Sequence, residues 1–217
     1  MSNRTYEVKP GLKLPSVTTI LDTLDKGIGL TKWICNLGWV ESRRILKESG
    51  ERGTRIHKYC AHKVANGEAI ELDESDMPYA MGVDRFHEDI FARFEVACYE
   101  SELTVFCERC GYAGTLDYAA SFKKLNRVPR HAILDWKTSS AIRKEVALQL
   151  AAYSHAYYVT QGYKCKEADK EAEKLERWCF RFTEDGGYEA RRYRNYRADI
   201  TCFRNLLGAY NWGRSNP

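Results

Sequence analysis

A mixed α/β fold, with a central mixed sheet flanked by helices and a helical N-terminal region, is what three features of the sequence predict. Helical periodicity fills most of residues 1–100, and short apolar runs of strand length cluster after residue 101. A long helical pattern then separates the third of these runs from the last two. The order is helices, three strands, a helix, two strands and a helix, a pattern that places both kinds of element around one sheet.

The elements follow in turn. The first thirty residues are turn-rich, with Pro10-Gly11 and Leu14-Pro15-Ser16. Ser16 or Thr18 caps a short helix through Leu24. Thr31 to Glu48 is helical and Gly50 stops it; a second helix runs from Glu51 to Asn66 and a third from about Ser75 to Tyr99. Strands are expected at Glu102–Cys110, Thr115–Phe122 and His131–Thr138. Gly111-Tyr112-Ala113-Gly114 makes the first turn between them and a polar stretch over Lys123–Arg130 the second. Glu145 to Gln161 is a helix. Leu175–Thr183 and Tyr188–Arg194 form a hairpin across Glu184-Asp185-Gly186-Gly187, and Tyr196 to Trp212 is the last helix. No repeat, low-complexity segment or long linker divides residues 1–217, which read as one domain: 1–100 mainly helical, 101–217 the sheet core and C-terminal helix.

With 44% hydrophobic and 29% charged residues the chain has the balance of a soluble globular protein rather than a disordered or membrane one. No apolar run is long enough to span a bilayer. Met1-Ser2-Asn3-Arg4-Thr5 lacks the apolar core of a signal peptide, so an intracellular, cytoplasmic location is expected and the eight cysteines are expected as thiols. A net charge of +4 tilts toward an anionic partner.

The most informative stretch is Ile133-Leu134-Asp135-Trp136-Lys137-Thr138. In a strand, Asp135 and Lys137 share one face and Trp136 takes the other. Burying both charges is costly unless they pair or meet a metal or ligand. On these two residues alone a surface salt bridge serves equally well. One strand earlier, Gly114-Thr115-Leu116-Asp117 supplies another acid; two carboxylates and a backbone oxygen suit Mg²⁺ or Mn²⁺, and a turn-proximal surface acid is the plainer reading. Gln149 and Tyr153, four apart, lie on one face of the following helix in an apolar stretch where an amide wants a partner. His57 sits in a helix, and Glu102 opens the first strand, where an edge salt bridge is the simple role.

Together and in this order, the helical His57, Gly114 to Asp117, Asp135 to Lys137 and Gln149 to Tyr153 resemble the PD-(D/E)XK nuclease superfamily. The resemblance is to its RecB-like exonuclease branch, which includes CRISPR-associated RecB-like exonucleases, the mitochondrial genome maintenance exonuclease and phage recombination nucleases. Pro15-Ser16-Val17-Thr18-Thr19-Ile20-Leu21 also looks like phage-type members. The resemblance spans roughly residues 14 to 160. It implies a restriction-endonuclease-like core and Mg²⁺- or Mn²⁺-dependent hydrolysis of DNA. Asp117, Asp135, His57 and the Trp136 carbonyl would bind the metal; Lys137 would orient or deprotonate the attacking water. Gln149 and Tyr153 would brace it, Glu102 would hold a second metal or water, and Thr138 and Ser139 would donate to phosphate. The implied partners are single-stranded DNA or duplex ends and a single-strand annealing or binding protein, in phage-type recombination, repair or replication. If the chain is phage-encoded, its location is the host cytoplasm. An endonuclease of the same fold, an RNA-directed nuclease and an inactive DNA-binding or adaptor relative are the alternatives. Retention of Asp117, Asp135 and Lys137 argues against the inactive one.

Arg43, Arg44, Arg52 and Arg55 cluster near His57, and Arg191, Arg192, Arg194, Arg197 and Arg204 interleave with aromatic residues late in the chain. Arg52, Arg55, Arg191 and Arg192 are the candidate phosphate contacts, against a solvated face with its aromatics turned inward. Some relatives bind a 4Fe-4S cluster through one early and three late cysteines. Cys35, Cys165, Cys179 and Cys202 match that count, but the late spacings are too wide, so a cluster is not expected. Cys107-Glu-Arg-Cys110 has the spacing of half a zinc knuckle. No second Cys-x-x-Cys or His pair accompanies it, so a structural zinc site is not expected either.

Overall fold

The computed structural model describes residues 4–24, 27–123 and 130–215 of the chain. It opens on an antiparallel hairpin, β1 (Thr5–Lys9) and β2 (Leu12–Pro15), where the sequence suggested only turns. Ser16 then caps α1 (Val17–Leu21), its hydroxyl accepting the Thr19 N–H at 2.9 Å; the helix is shorter than expected because the Leu24 end unwinds into turns.

Gly50 does not end a helix. After α2 (Gly27–Leu37) the chain breaks at Gly38, whose φ of 81° suits glycine, and α3 (Trp39–Asn66) then runs 28 residues without interruption. A helical glycine costs only about 1 kcal/mol relative to alanine, which packing of Ile56, Tyr59 and Cys60 into the core outweighs. The third expected helix is also revised. A 3-10 turn at Glu74–Asp76 leads into α4 (Met77–Phe86) and a π-helical turn at His87–Ala92; from Val96 the chain is strand β3 (Val96–Cys107). There Val96 and Ala97 pair with Phe122 and Ser121, a long-range ladder that overrides local helical pattern.

β3, β4 (Tyr112–Phe122), β5 (Arg130–Lys137), β6 (Glu176–Phe182) and β7 (Tyr188–Arg192) form a mixed sheet in that order. β5 and β6 are parallel and the other pairs antiparallel. The parallel pair needs a crossover, supplied by α5 (Val146–Thr160) and by α6 (Cys165–Ala172), a helix the sequence reading missed. β6 and β7 make the expected hairpin, and α7 (Tyr196–Ser215) closes the chain. The expected polar turn falls mainly on residues 124–129, outside the described residues, as does the side chain of Cys98.

Each face of the sheet carries its own core. Val17 and Ile20 of α1, α5 and α7 pack with Leu116, Ala119, Ile133 and Cys179. On the other face α3 and α4 pack on Tyr118, Leu134, Trp136, Phe180 and Phe182. Trp136 is fully buried there, 5.3 Å from Phe86 and 5.6 Å from Tyr118 between ring centroids. This is the mixed sheet flanked by helices, with a helical N-terminal region, that the sequence predicted. Among the described residues no helix is long and apolar enough to cross a membrane.

Candidate active site

The site lies where two strands part. β4 and β5 stay paired from Phe122 and Arg130 up to Tyr118 and Leu134, and their pairing ends there, while β5 remains paired with β6 as far as Lys137. The Trp136 N–H therefore has no strand partner on the β4 side. The Asp117 carboxylate takes it instead, its Oδ2 accepting at 2.7 Å. Asp117 is thus buried yet satisfied on one oxygen, and its other oxygen stands 3.4 Å from His57 Nδ1.

His57 comes from α3. Its Nε2 is 3.0 Å from the Trp136 carbonyl, which can only accept, so Nε2 carries the proton and the neutral ring has its lone pair on Nδ1, facing Asp117. Burial pulls the His57 pKa down, but the Asp117 carboxylate more than offsets this and holds it above its ordinary value. Burial in turn raises Asp117, and the His57 charge more than offsets that, leaving it below the usual carboxylate range.

Glu102 reaches the same spot from β3. Among non-glycine residues it shares a positive φ only with Glu95 within the described chain; its value is 51°, and it sits opposite Asp117 between the Ser101–Tyr118 and Leu103–Leu116 pairs. The left-handed conformation costs an L-residue about 1–2 kcal/mol and persists only where the surroundings impose it, as functional sites often do. One ligand atom each from His57, Glu102 and Asp117 lies within 4.8 Å of the others. Burial and the nearby Asp117 raise the Glu102 pKa.

Asp135 faces the other way, toward α5. Lys137 Nζ is 2.5 Å from its Oδ2, and Gln149 Nε2 donates to its Oδ1 at 2.9 Å. The same amide nitrogen donates to the Tyr153 hydroxyl at 3.3 Å, so both its hydrogens are used. Burial raises the Asp135 pKa against the pull of Lys137. Burial lowers Lys137, but Asp135 and Asp117 more than offset it, so its ammonium is held charged. Gly114 belongs here for want of room: a Cβ on it would stand 2.4 Å from Tyr153 Cε1.

The structure thus gathers His57, Glu102, Asp117, Asp135, Lys137, Gln149 and Tyr153 at one sheet end. Glu102 is grouped with His57 and Asp117, whereas Asp135 is engaged by Lys137 and Gln149, and one lone pair of the Trp136 carbonyl by His57. Three carboxylates against one lysine and one imidazole leave an excess of negative charge that a divalent cation would balance.

Two clefts, of about 910 and 760 Å³, flank Lys137 and share Ser139, Ser140 and Arg143 with it. The larger reaches Gln149 and Lys144; the smaller reaches His57, Arg52 and Thr138. Arg143 went unremarked in the sequence, although a basic pair just after an Asp-x-Lys strand was there to be read. Ser139 donates to the Ala141 carbonyl at 2.9 Å. Arg55 forks onto buried Asp76 instead of standing free. Late in the chain, Arg192 is bidentate on Glu176, with both distances 2.5 Å, and Arg191 donates to the Ile142 carbonyl at 3.1 Å. Arg197 pairs with Glu173 and Arg204 with Asp169, while Tyr196 and Phe203 are buried. That late run is largely a charge-matched surface over a core. Of the cysteines weighed for a cluster, Cys35 and Cys202 are exposed, while Cys179 is buried beside Asp135, its strand partner.

The fold and site define a mixed α/β chain with an acid–lysine cluster at the open end of its sheet. No protein-family model and no curated protein matches it. Among solved structures, an alkaline exonuclease (LHK-Exo) from Laribacter hongkongensis is similar at 10% identity, over 90% of this chain and 88% of that one, with a TM-score of 0.28.

Proposed function

We propose that this chain is a metal-dependent deoxyribonuclease that hydrolyses phosphodiester bonds as an exonuclease, in DNA recombination, repair or replication of the phage type. The observation that carries the reading is the meeting of Asp117 with the Asp135–Lys137 pair at the parted ends of β4 and β5, beside two clefts with basic residues.

The donors fit a hard divalent ion: carboxylates of Asp117 and Glu102, with the Nδ1 lone pair of His57 turned toward Asp117. Asp135 and the free lone pair of the Trp136 carbonyl stand by as further oxygens. Bound Mg²⁺ or Mn²⁺ would acidify a water and shield the charge developing on phosphate. The remaining work falls to the chain. Lys137, held against Asp135, would orient the attacking water or help deprotonate it, and would donate to the phosphate oxygens. Asp135 fixes the ammonium in place, and Gln149, itself held by Tyr153, fixes Asp135. Arg52, Arg143, Lys144 and Thr138 would receive the DNA backbone in the clefts.

The test is cleavage of end-labelled linear DNA with Mg²⁺ or Mn²⁺ by wild type, Asp135→Ala and Lys137→Ala. Loss in both variants is expected, and equal cleavage by all three rejects the assignment. Circular DNA left intact separates an exonuclease from an endonuclease, and an RNA substrate in parallel tests the sugar preference.

A further inference from the structure

Away from the acid–lysine site, four soft ligands converge: Cys107 at the end of β3, Cys110 in the following turn, His155 on α5 and Cys165 at the start of α6. One ligand atom from each lies within 4.8 Å of the others. The sequence exposes only half of this set, because the pair completing Cys107-x-x-Cys110 comes from two helices folded against the β3–β4 turn.

The turn is already shaped for a metal. The Cys110 N–H donates to Cys107 Sγ at 3.3 Å, and Gly111, at φ 81°, donates its N–H to the Cys107 carbonyl at 2.8 Å. Cys107 and Cys165 sulfurs are 3.7 Å apart. Two thiolates on one tetrahedral zinc, each bound at about 2.3 Å, stand about 3.8 Å apart. An iron–sulfur cluster, whose cysteines bind different irons, needs its ligands spread farther than this group allows.

The imidazole supplies an independent sign. His155 is fully buried. The Tyr112 hydroxyl donates to the Ala152 carbonyl at 3.2 Å, so its oxygen accepts from His155 Nδ1–H at 2.8 Å. That bond fixes the tautomer and leaves a bare lone pair on Nε2, which is buried and makes no hydrogen bond among the described residues. Asp169, 4.0 Å away, is occupied by Tyr196 and Arg204. A buried nitrogen without a partner is costly unless something binds it.

We propose that Cys107, Cys110, His155 and Cys165 form a structural zinc site. Four protein ligands complete a tetrahedron and leave no open position for substrate. The ion would tie the β3–β4 turn to α5 and α6, and so hold the helix that carries Gln149 and Tyr153. The inference stands apart from the nuclease reading.

The test is elemental analysis of protein purified under reducing, chelator-free conditions, followed by cobalt(II) substitution. Wild type, Asp117→Ala and Cys202→Ser are each expected to carry about one zinc per chain, and Cys110→Ser less than about a tenth of that. Cobalt in wild type and Asp117→Ala should give intense tetrahedral bands with sulfur-to-metal charge transfer, which carboxylate ligands cannot produce. If Cys110→Ser does not fold, the wild-type zinc count and cobalt spectrum decide. Folded wild type without zinc and without thiolate bands overturns the proposal. So does iron with acid-labile sulfide, or zinc undiminished in folded Cys110→Ser.

Discussion

Gly114→Ala isolates the least obvious constraint of the candidate site. Its Cβ would stand 2.4 Å from Tyr153 Cε1, 3.2 Å from Cζ and 3.3 Å from Cδ1, where ordinary contact begins near 3.4 Å. The ring must therefore move by about 1 Å, the gap between that approach and normal contact. Tyr153 is buried against well-packed neighbours, so such overpacking costs about 1–3 kcal/mol. For a chain of this size that lowers Tm by several degrees, at about 2–4 °C per kcal/mol. The displaced ring also carries the Gln149 contact, and Gln149 holds Asp135. A misplacement of about 1 Å at such a brace can lower a rate by about 100-fold. Thermal unfolding and kcat/KM on labelled DNA are measured for Gly114→Ala, Tyr153→Ala and the double variant. If the clash with the ring is the cause, Gly114→Ala destabilises much less in the Tyr153→Ala background, a coupling of about 1 kcal/mol or more. Strictly additive Tm losses would refute the reasoning, because the glycine would then be needed for something other than the ring.

Other expectations follow from the same geometry. Asp117→Ala orphans the buried Trp136 N–H as well as removing a ligand, so it should unfold about 1–3 kcal/mol more easily than wild type in chelator, where a purely catalytic acid would leave chemical denaturation unchanged. Gln149→Leu should lower kcat about tenfold or more with KM little altered, as read by steady-state cleavage, because the amide's hydrogen bonds go to Asp135 and Tyr153 and orient the acid. Arg143→Ala should reduce the slope of log affinity against log salt by about one contact, whereas Arg192→Ala should leave it unchanged, since its guanidinium is held by Glu176. In metal-free protein the raised His57 pKa stabilises the fold fully below about pH 6.5, and that stability is lost as pH rises through the folded value. The lowered Asp117 acts oppositely, its contribution lost on acidification. Tm in chelator should therefore fall as pH rises above about 6.5, and do so less steeply in Asp117→Asn.

Much of the candidate site was legible because its chemistry is written in short, local spacing. Asp135 and Lys137 share a strand face with Trp136 on the other, and that follows from a period of two. Gln149 and Tyr153 meet because they are four apart on a helix. What stayed hidden depends on contacts between distant segments. Gly50 looks like a stop until Ile56 and Tyr59 are seen buried, and Val96 to Cys98 read as helix until β4 pairs with them. The left-handed Glu102 leaves no trace in composition. The late arginines suggested a nucleic-acid surface, and their partners Glu173, Glu176 and Asp169 lie on elements the pattern did not connect to them.

In helix α5 the polar residues of an apolar run all sit inside the protein. From Leu148 to Ala156 every residue is buried, so no solvent face exists on which Gln149, Ser154 or His155 could rest. Each must find a partner inside: Gln149 takes Asp135 and Tyr153, and Ser154 donates to the Leu150 carbonyl at 2.8 Å. His155 takes Tyr112 on one nitrogen and leaves the other facing a group of thiols. The two polar ends of this helix thus serve separate sites, one bracing the Asp135–Lys137 pair and one completing the Cys107–Cys110–Cys165 cluster. Because the helix is rigid, a ligand held at His155 would constrain Gln149 and Tyr153 less than two turns away. Chelation of a zinc ion there should then weaken the acid–lysine site as well as the fold, and His155→Ala should lower cleavage without any contact to DNA.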